Sequence, residues 1–195
     1  MDEITAYLQT KAGPSFQPDD PEWASLVDSA SVRTYKKNEV ILKKGKRSEE
    51  VLLTAEGILA SEFSMEDKTV IGRFFLPGAL CTNFDSLLMQ VPSRFQIVSV
   101  TPCKIISMPA VEFLRHYYRS HGPGVLFRKM ILEMMAEDIW LTDMKLLYTK
   151  EEMVHQLREH YPDIIRQVPY KHIAMYLGIT AEAYSRILKK SRHKT

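Results

Sequence analysis

The stretch "HIAMYLGITAEAYSRILKKSRHKT" (residues 172–195) carries side chains of the kinds that hydrogen-bond to DNA. An arginine can donate two hydrogen bonds to guanine, and a glutamate can accept one from cytosine. Lysines pair with phosphates and so add affinity without sequence preference. We therefore expect Glu182 and Arg186 to contact bases and the lysines to contact phosphates. The predicted DNA-binding residues are Thr180, Ala181, Glu182, Ser185, Arg186, Lys189 and Lys190.

Two short helical patterns position these side chains. Gly178 stands where a chain reversal needs a positive φ, and Thr180 is a helix N-cap candidate. The helix on each side has an apolar face: Ile173, Ala174 and Leu177 before the turn, and Tyr184, Ile187 and Leu188 after it. A helix–turn–helix of this kind places its second helix in the major groove. A helical hairpin without a DNA role is the alternative.

Charge is concentrated in the same segment. Residues 171–195 contain six Lys or Arg and one acid, a net +5, so the preceding 170 residues carry −3 of the total +2. This asymmetry favours nucleic-acid contact, with Arg192 and Lys194 expected at phosphates. A lysine-rich tail that serves solubility is equally consistent with it.

The composition of the 195 residues is that of a globular protein, with 45% hydrophobic and 26% charged residues. The start, "MDEITAYLQT", lacks the basic and apolar regions of a signal peptide, and no apolar stretch reaches the length of a membrane span. Cys81 and Cys103 stand apart from any metal-binding pattern. We expect a cytoplasmic protein without membrane contact.

The architecture predicted from the pattern is α+β. Short β-rich runs separated by turn signals fill residues 31–108, which is typical of an antiparallel β jelly-roll barrel. A short helix precedes the barrel in "DDPEWASLVDSA", and another begins in "PAVEFLRHYYRS". Thr149 and Glu152 form a capping-box pattern that opens the C-terminal helices.

A long helix between these parts, from Val125 to about Leu147, carries two apolar stripes. One stripe, with Phe127, Ile131, Met134 and Leu141, suits packing within the chain. The other has heptad spacing, which favours a like helix from a second copy. The predicted dimer seam is Val125, Leu132, Met135, Ile139, Thr142 and Leu146. A helix buried between two parts of one chain is the alternative.

These elements together resemble the cAMP receptor protein/FNR family of bacterial transcription regulators, over roughly residues 22–190. The resemblance implies a sensor barrel with flanking helices (1–122), a dimerisation helix (123–148) and a helix–turn–helix domain (149–195). Glu182 and Arg186 stand where the cAMP receptor protein carries a base-reading Glu and Arg, and Ala181 replaces its other base-reading Arg. The chain is similar to a shortened member that lacks the β-hairpin wing.

The family's cyclic-nucleotide cassette has Gly-Glu for the ribose and Arg-Ser for the phosphate. In the matching stretch, "FLPGALCTNFDSLLMQVPSRFQIVSV", there is no Gly-Glu around Asn83, and "SRF" replaces Arg-Ser. The resemblance therefore implies an effector pocket at Gly78, Asn83, Ser93 and Arg94 that binds cAMP and cGMP weakly or not at all. An unknown small-molecule effector, a redox change at Cys81 or no effector would each fit. Arg94 could also be a surface or loop-anchoring arginine.

An enzymatic role is not expected. A cupin-type metal site needs histidines inside the barrel, but all six histidines (116, 121, 155, 160, 172 and 193) lie outside the β segment. Two cysteines are too few for an iron–sulfur sensor. We expect no cofactor and no metal, and a homodimer that binds double-stranded DNA at a near-palindromic operator. The alternative function is a dimeric ligand-binding or protein-interaction module with a vestigial helix–turn–helix.

Overall fold

The computed structural model describes residues 2–66 and 68–192, with the side chains of residues 191 and 192 outside the description. Two antiparallel sheets face each other, one with the order β1-β7-β3 and the other β2-β6-β4-β5. The strands correspond to the predicted β-rich runs, and the α+β prediction is confirmed. The strands are β1 (Ser31–Tyr35), β2 (Val40–Leu42), β3 (Glu50–Glu56), β4 (Leu59–Met65), β5 (Lys68–Phe75), β6 (Gln96–Ser99) and β7 (Cys103–Pro109).

Helices flank the barrel on both sides in sequence. Two precede it and one lies within it, while a run of helices follows β7. They are α1 (Glu3–Ala12), α2 (Pro21–Ser29), α3 (Phe84–Met89), α4 (Ala110–Arg119), α5 (Gly122–Leu147), α6 (Lys150–His160), α7 (Pro162–Gln167), α8 (Tyr170–Leu177) and α9 (Ala181–Arg192). The searched, described part of the chain contains no helix both long and apolar enough to cross a membrane.

Capping interactions mark the helix starts that the sequence predicted. The Asp20 side chain accepts a hydrogen bond from the Glu22 amide at the start of α2. Thr149 and Glu152 make both reciprocal hydrogen bonds of a capping box at the start of α6. Each cap satisfies amides that a helix leaves without an internal partner.

Several helices differ from the prediction, and two of them, α3 and α7, were not predicted at all. Helix α5 begins at Gly122 and not at Val125, because a proline in the first turn gives up no helical hydrogen bond. Helix α1 was also not predicted. Asp2 caps its first turn through the Thr5 amide, and Leu8 is buried against the barrel side of the fold.

The C-terminal helices share a hydrophobic core with the four-stranded sheet. Buried residues of β5 and β6 lie in one cluster with the second half of α5 and with α6–α9. The Phe74 and Tyr176 rings, 5.2 Å apart, join β5 to α8 within it. A second cluster joins the three-stranded sheet to α1, α2, α4 and the first half of α5. Helix α5 thus contributes to both cores.

Candidate DNA interface and effector region

The turn between α8 and α9 has the predicted helix–turn–helix geometry. Gly178 adopts φ +69°, and its amide donates to the Ala174 carbonyl as α8 ends. The Thr180 hydroxyl accepts a hydrogen bond from the Ala183 amide at 3.1 Å, as an N-cap of α9. Ile179 packs against the core between the two helices. The glycine turn, the N-cap and Ile179 together define how α9 follows α8.

Helix α9 has one buried and one exposed side. Tyr184, Ile187 and Leu188 are buried in the core shared with the barrel. The polar side faces solvent, with only Ser185 of the predicted DNA-binding residues partly buried. The exposed members are Thr180, Ala181, Glu182, Arg186, Lys189 and Lys190.

The electrostatics of this exposed side suit contact with DNA. Within the described residues, Arg186, Lys189 and Lys190 make no ion pair, so their charges are uncommitted. Hydrogen bonds from its own backbone amide and from Thr180 hold the pKa of the Glu182 carboxyl below its ordinary value, and it is ionised at neutral pH. The predicted phosphate contacts of Arg192 and Lys194 lie outside the side chains that the structure describes.

The dimer seam predicted on α5 lies on the exposed side of that helix. The opposite side, with Leu126, Phe127 and Met130, is buried in the chain's own core. Arg128 is a polar residue that lies three positions after Val125 in the heptad pattern. Its side chain turns inward and donates a hydrogen bond to the Tyr117 carbonyl. The exposed seam residues are Val125, Leu132, Met135, Ile139, Thr142 and Leu146. Five of these six are apolar.

A polar junction connects β5, α5 and the C-terminal helices. Arg73, only 9% exposed, pairs with Glu137 and with Asp138, the latter at 2.5 Å. The Tyr161 hydroxyl donates to the other oxygen of Glu137 at 3.0 Å. Burial raises the pKa of the Asp138 carboxyl, and the Arg73 guanidinium opposes this shift. Contacts within the chain therefore occupy Glu137 and Asp138 in the middle of α5.

Two residues of the predicted effector pocket bond to each other. The Asn83 amide donates to the Ser93 hydroxyl at 2.8 Å, and both side chains are buried. Asn83 also caps α3 through the Ser86 amide, while the Ser93 hydroxyl donates to the Phe95 carbonyl at 2.6 Å. These bonds close the loop around α3 on itself and satisfy the polar groups in it.

The other two residues of that prediction lie elsewhere. The side chain of Arg94 is 76% exposed and donates to the Asp85 carboxylate at 2.7 Å, as a surface ion pair does. Gly78 adopts φ +92° and lies beside the Lys11 side chain of α1. The structure therefore brings together Asn83 and Ser93 but not the four residues as one cavity.

The cysteine thiols are enclosed in the space between the two sheets. Cys81 is fully buried among apolar side chains, and burial raises the pKa of its thiol to about 12. Because the thiolate is the reactive form, such a thiol is inert at neutral pH. Cys103 is also buried and donates to the Ile58 carbonyl. Both cysteines serve packing.

Sequence reasoning did not find the residues of the polar junction. A signal existed at Arg73, because a charge inside the otherwise apolar run "TVIGRFFL" is seldom buried unless it is paired. Its partners Glu137 and Asp138 lie 64 and 65 residues further along the chain. Nothing in the periodicity of α5 distinguishes Glu137 from a solvent-exposed acid.

Comparison with known proteins identifies which folds this chain is similar to. Residues 32–120 match the family model of the cyclic nucleotide-binding domain. No curated protein sequence matches the chain. Many solved structures do, and those of transcription regulators of the CRP/FNR family are among them. Residues 32–120 are therefore similar to a cyclic nucleotide-binding domain, and the overall fold is like that of the CRP/FNR regulators among the matched structures, as the resemblance predicted.

Three solved structures illustrate the likeness. FixK2 from Bradyrhizobium japonicum is 19% identical with a TM-score of 0.65, and the match covers 85% of each chain. A CooA mutant from Carboxydothermus hydrogenoformans is 13% identical with a TM-score of 0.71, covering 91% of this chain and 83% of that one. A CRP-family transcriptional regulator from Thermus thermophilus, TTHB099, is 13% identical with a TM-score of 0.65, covering 83% of this chain and 85% of that one. At these identities the likeness is one of fold.

Proposed function

We propose that the protein is a homodimeric, cytoplasmic transcription regulator, not an enzyme, whose α8–α9 unit binds double-stranded DNA. The observation that carries this proposal is the two-sidedness of α9. Its apolar side anchors it in the core, while Arg186, Lys189 and Lys190 face solvent without an ion pair to another described residue. Arginine and lysine charges of this kind match base edges and phosphates.

Dimerisation is supported by the exposed apolar stripe on α5. Five apolar side chains at heptad spacing lie on one face of a 26-residue helix. Exposed apolar surface in a continuous stripe marks an interaction site, and heptad spacing fits a second copy of the same helix. A two-fold axis along this seam would repeat α9 symmetrically, so we expect a near-palindromic operator with half-sites about 34 Å apart.

The barrel is proposed to sense something other than cAMP. Asn83 and Ser93, at the positions where the cassette would hold ribose and phosphate, bond to each other within a closed loop. Arg94 is exposed and pairs with Asp85 at the surface. Titration calorimetry with cAMP and cGMP should detect no binding in the micromolar range. Micromolar affinity for either would contradict this part of the proposal.

Selection of bound sequences from a random DNA pool tests the central claim. We expect enrichment of a near-palindromic motif, and an affinity for it that falls steeply as salt concentration rises. The variant Arg186→Ala should enrich a motif with relaxed preference at one base in each half-site, whereas Arg47→Ala, which removes an exposed arginine of the β2–β3 turn, should enrich the unaltered motif. Failure to enrich any motif would instead favour a ligand-binding or protein-interaction module with a vestigial helix–turn–helix.

A further inference from the structure

A cleft of about 470 Å³ lies between helix α1 and the three-stranded sheet. Apolar side chains make up much of its wall, with Ala6 from α1 and with Val32, Ala55 and Ile106 from the strands. This volume lies within the range of about 300–1,000 Å³ that small-molecule sites occupy. The cleft shares only Gly78 with the effector pocket predicted from the sequence.

The two ends of the cleft carry opposite excess charge. At one end, the Lys104 ammonium pairs with both Glu3 at 2.8 Å and Glu56 at 3.0 Å, so two carboxylates share one cation. At the other end, Lys11 makes no ion pair with any described residue. Glu3 and Lys11 are eight residues apart on one helix, which corresponds to about 12 Å.

The Lys11 head group lies close to Gly78, at the rim of the cleft. A Cβ atom at Gly78 would lie 2.1 Å from the Lys11 ammonium nitrogen, so this ammonium rests directly on the glycine backbone. Gly78 also has φ +92°, a conformation that other residues rarely adopt. Lys11 is half-buried, with its stem along the cleft wall and its charge uncommitted.

We propose that this cleft is a binding site for an amphipathic organic anion. The anionic head, a carboxylate, pairs with Lys11, and an apolar body lies along Ala6, Val32 and Ile106. The carboxylate pair at Glu3 and Glu56 disfavours a second anionic group at the far end. The proposal goes beyond the function proposed above and stands without it, because occupancy of the cleft is measured in the absence of DNA.

Calorimetric titration of the full chain with octanoate and with 1-octanol tests the site. Both probes offer the same apolar body, but only octanoate carries the charge. We expect octanoate to bind saturably at one site per chain and about tenfold more tightly than octanol, as one hydrogen bond to a charged group provides. Equal affinities, or no binding of octanoate, would overturn the proposal.

Three variants localise the binding. Lys11→Met keeps the length of the side chain without its charge and should reduce octanoate affinity to that of octanol. Lys43→Met makes the same change in the turn after β2, outside the cleft, and should bind octanoate as the unaltered chain does. Ala6→Phe should fill the cleft and abolish binding of both probes, with thermal melting showing that the fold is kept. Unchanged octanoate affinity in Lys11→Met or Ala6→Phe would refute the site.

Discussion

Helix α9 and the loop around α3 are both rich in polar side chains, but the two regions leave them in opposite states. In α9, Arg186, Lys189 and Lys190 are exposed and pair with no other described residue. Around α3, Asn83 and Ser93 are buried and bonded to each other. Helix α9 thus presents charges that can bind a partner, whereas the polar groups of the α3 loop stabilise the conformation of that loop.

The position of a motif in a fold therefore does not by itself determine its chemistry. By the family resemblance the α3 loop corresponds to a nucleotide cassette, yet its hydrogen bonds are internal, and a ligand that bonded to Asn83 or Ser93 would compete with them. A buried polar group that loses its partner costs about 1–3 kcal/mol. The uncommitted charges of α9 require no such loss before they bind. Predicted effects should therefore fall on stability at α3 and on association at α9.

The seam of α5 is similar to α9 in this respect, because its apolar side chains are also exposed and available for contact with another molecule. Met135→Glu together with Ile139→Glu would bury uncompensated charges in a dimer, at several kcal/mol each, and should raise the dimer dissociation constant at least about 100-fold. Sedimentation velocity measures this. Val111→Glu makes a similar apolar-to-acid change on the exposed face of α4 and should leave the dimer intact. A dimer that survives the double substitution would place the interface elsewhere.

In the internally bonded loop around α3, Asn83→Ala should lower the free energy of unfolding by about 1–3 kcal/mol. The change removes the N-cap of α3 and leaves the buried Ser93 without one of its partners. Urea denaturation gives the value. Arg94→Ala, in the same loop but exposed, should change it by less than about 0.5 kcal/mol. Equal effects of the two changes would mean that the Asn83–Ser93 bond does not hold the loop.

On the exposed side of α9, Arg186→Ala should weaken the free energy of binding to the best DNA site by roughly 1–3 kcal/mol. It should also relax preference at one base in each half-site. Its free energy of unfolding should stay within about 0.5 kcal/mol, since the side chain is exposed. Fluorescence anisotropy on the selected site and on single-base variants measures the binding effects, and urea denaturation measures the stability. A loss of equal size on every sequence would assign Arg186 to phosphates.

Features set by neighbouring residues were predictable from the sequence. The positive φ of Gly178, the N-cap at Thr180 and the capping box at Thr149 each depend on three or four consecutive residues, and each forms as expected. The two stripes of α5 were likewise read from periodicity, because a helix places residues of like spacing on one side. Strand positions followed from the turn signals between them.

Features set by distant residues were not predictable. The Arg73–Glu137 pair and the Lys11–Gly78 contact join parts of the chain that only the finished fold brings together. The Asn83–Ser93 bond spans ten residues across a helix and a loop whose course the sequence does not determine. For that reason the effector-pocket residues could be proposed from the family resemblance, but their mutual arrangement could not.

The smallest predicted effect is that of Lys190→Ala, which tests whether residues of α9 that add affinity differ from those that read sequence. Lys190 is exposed one turn beyond Arg186, and we expect it to contact phosphate oxygens and not base edges. Lys190→Ala should weaken binding to all sequences alike and flatten the dependence of log affinity on log salt by about one, because one fewer counterion is released. Binding isotherms over a series of salt concentrations, on the selected site and on a scrambled one, give both slopes. Lys43→Ala, remote from α9, should leave the slopes unchanged. If Lys190→Ala lowers affinity only on the selected site, Lys190 reads a base, and the division of roles along α9 is wrong.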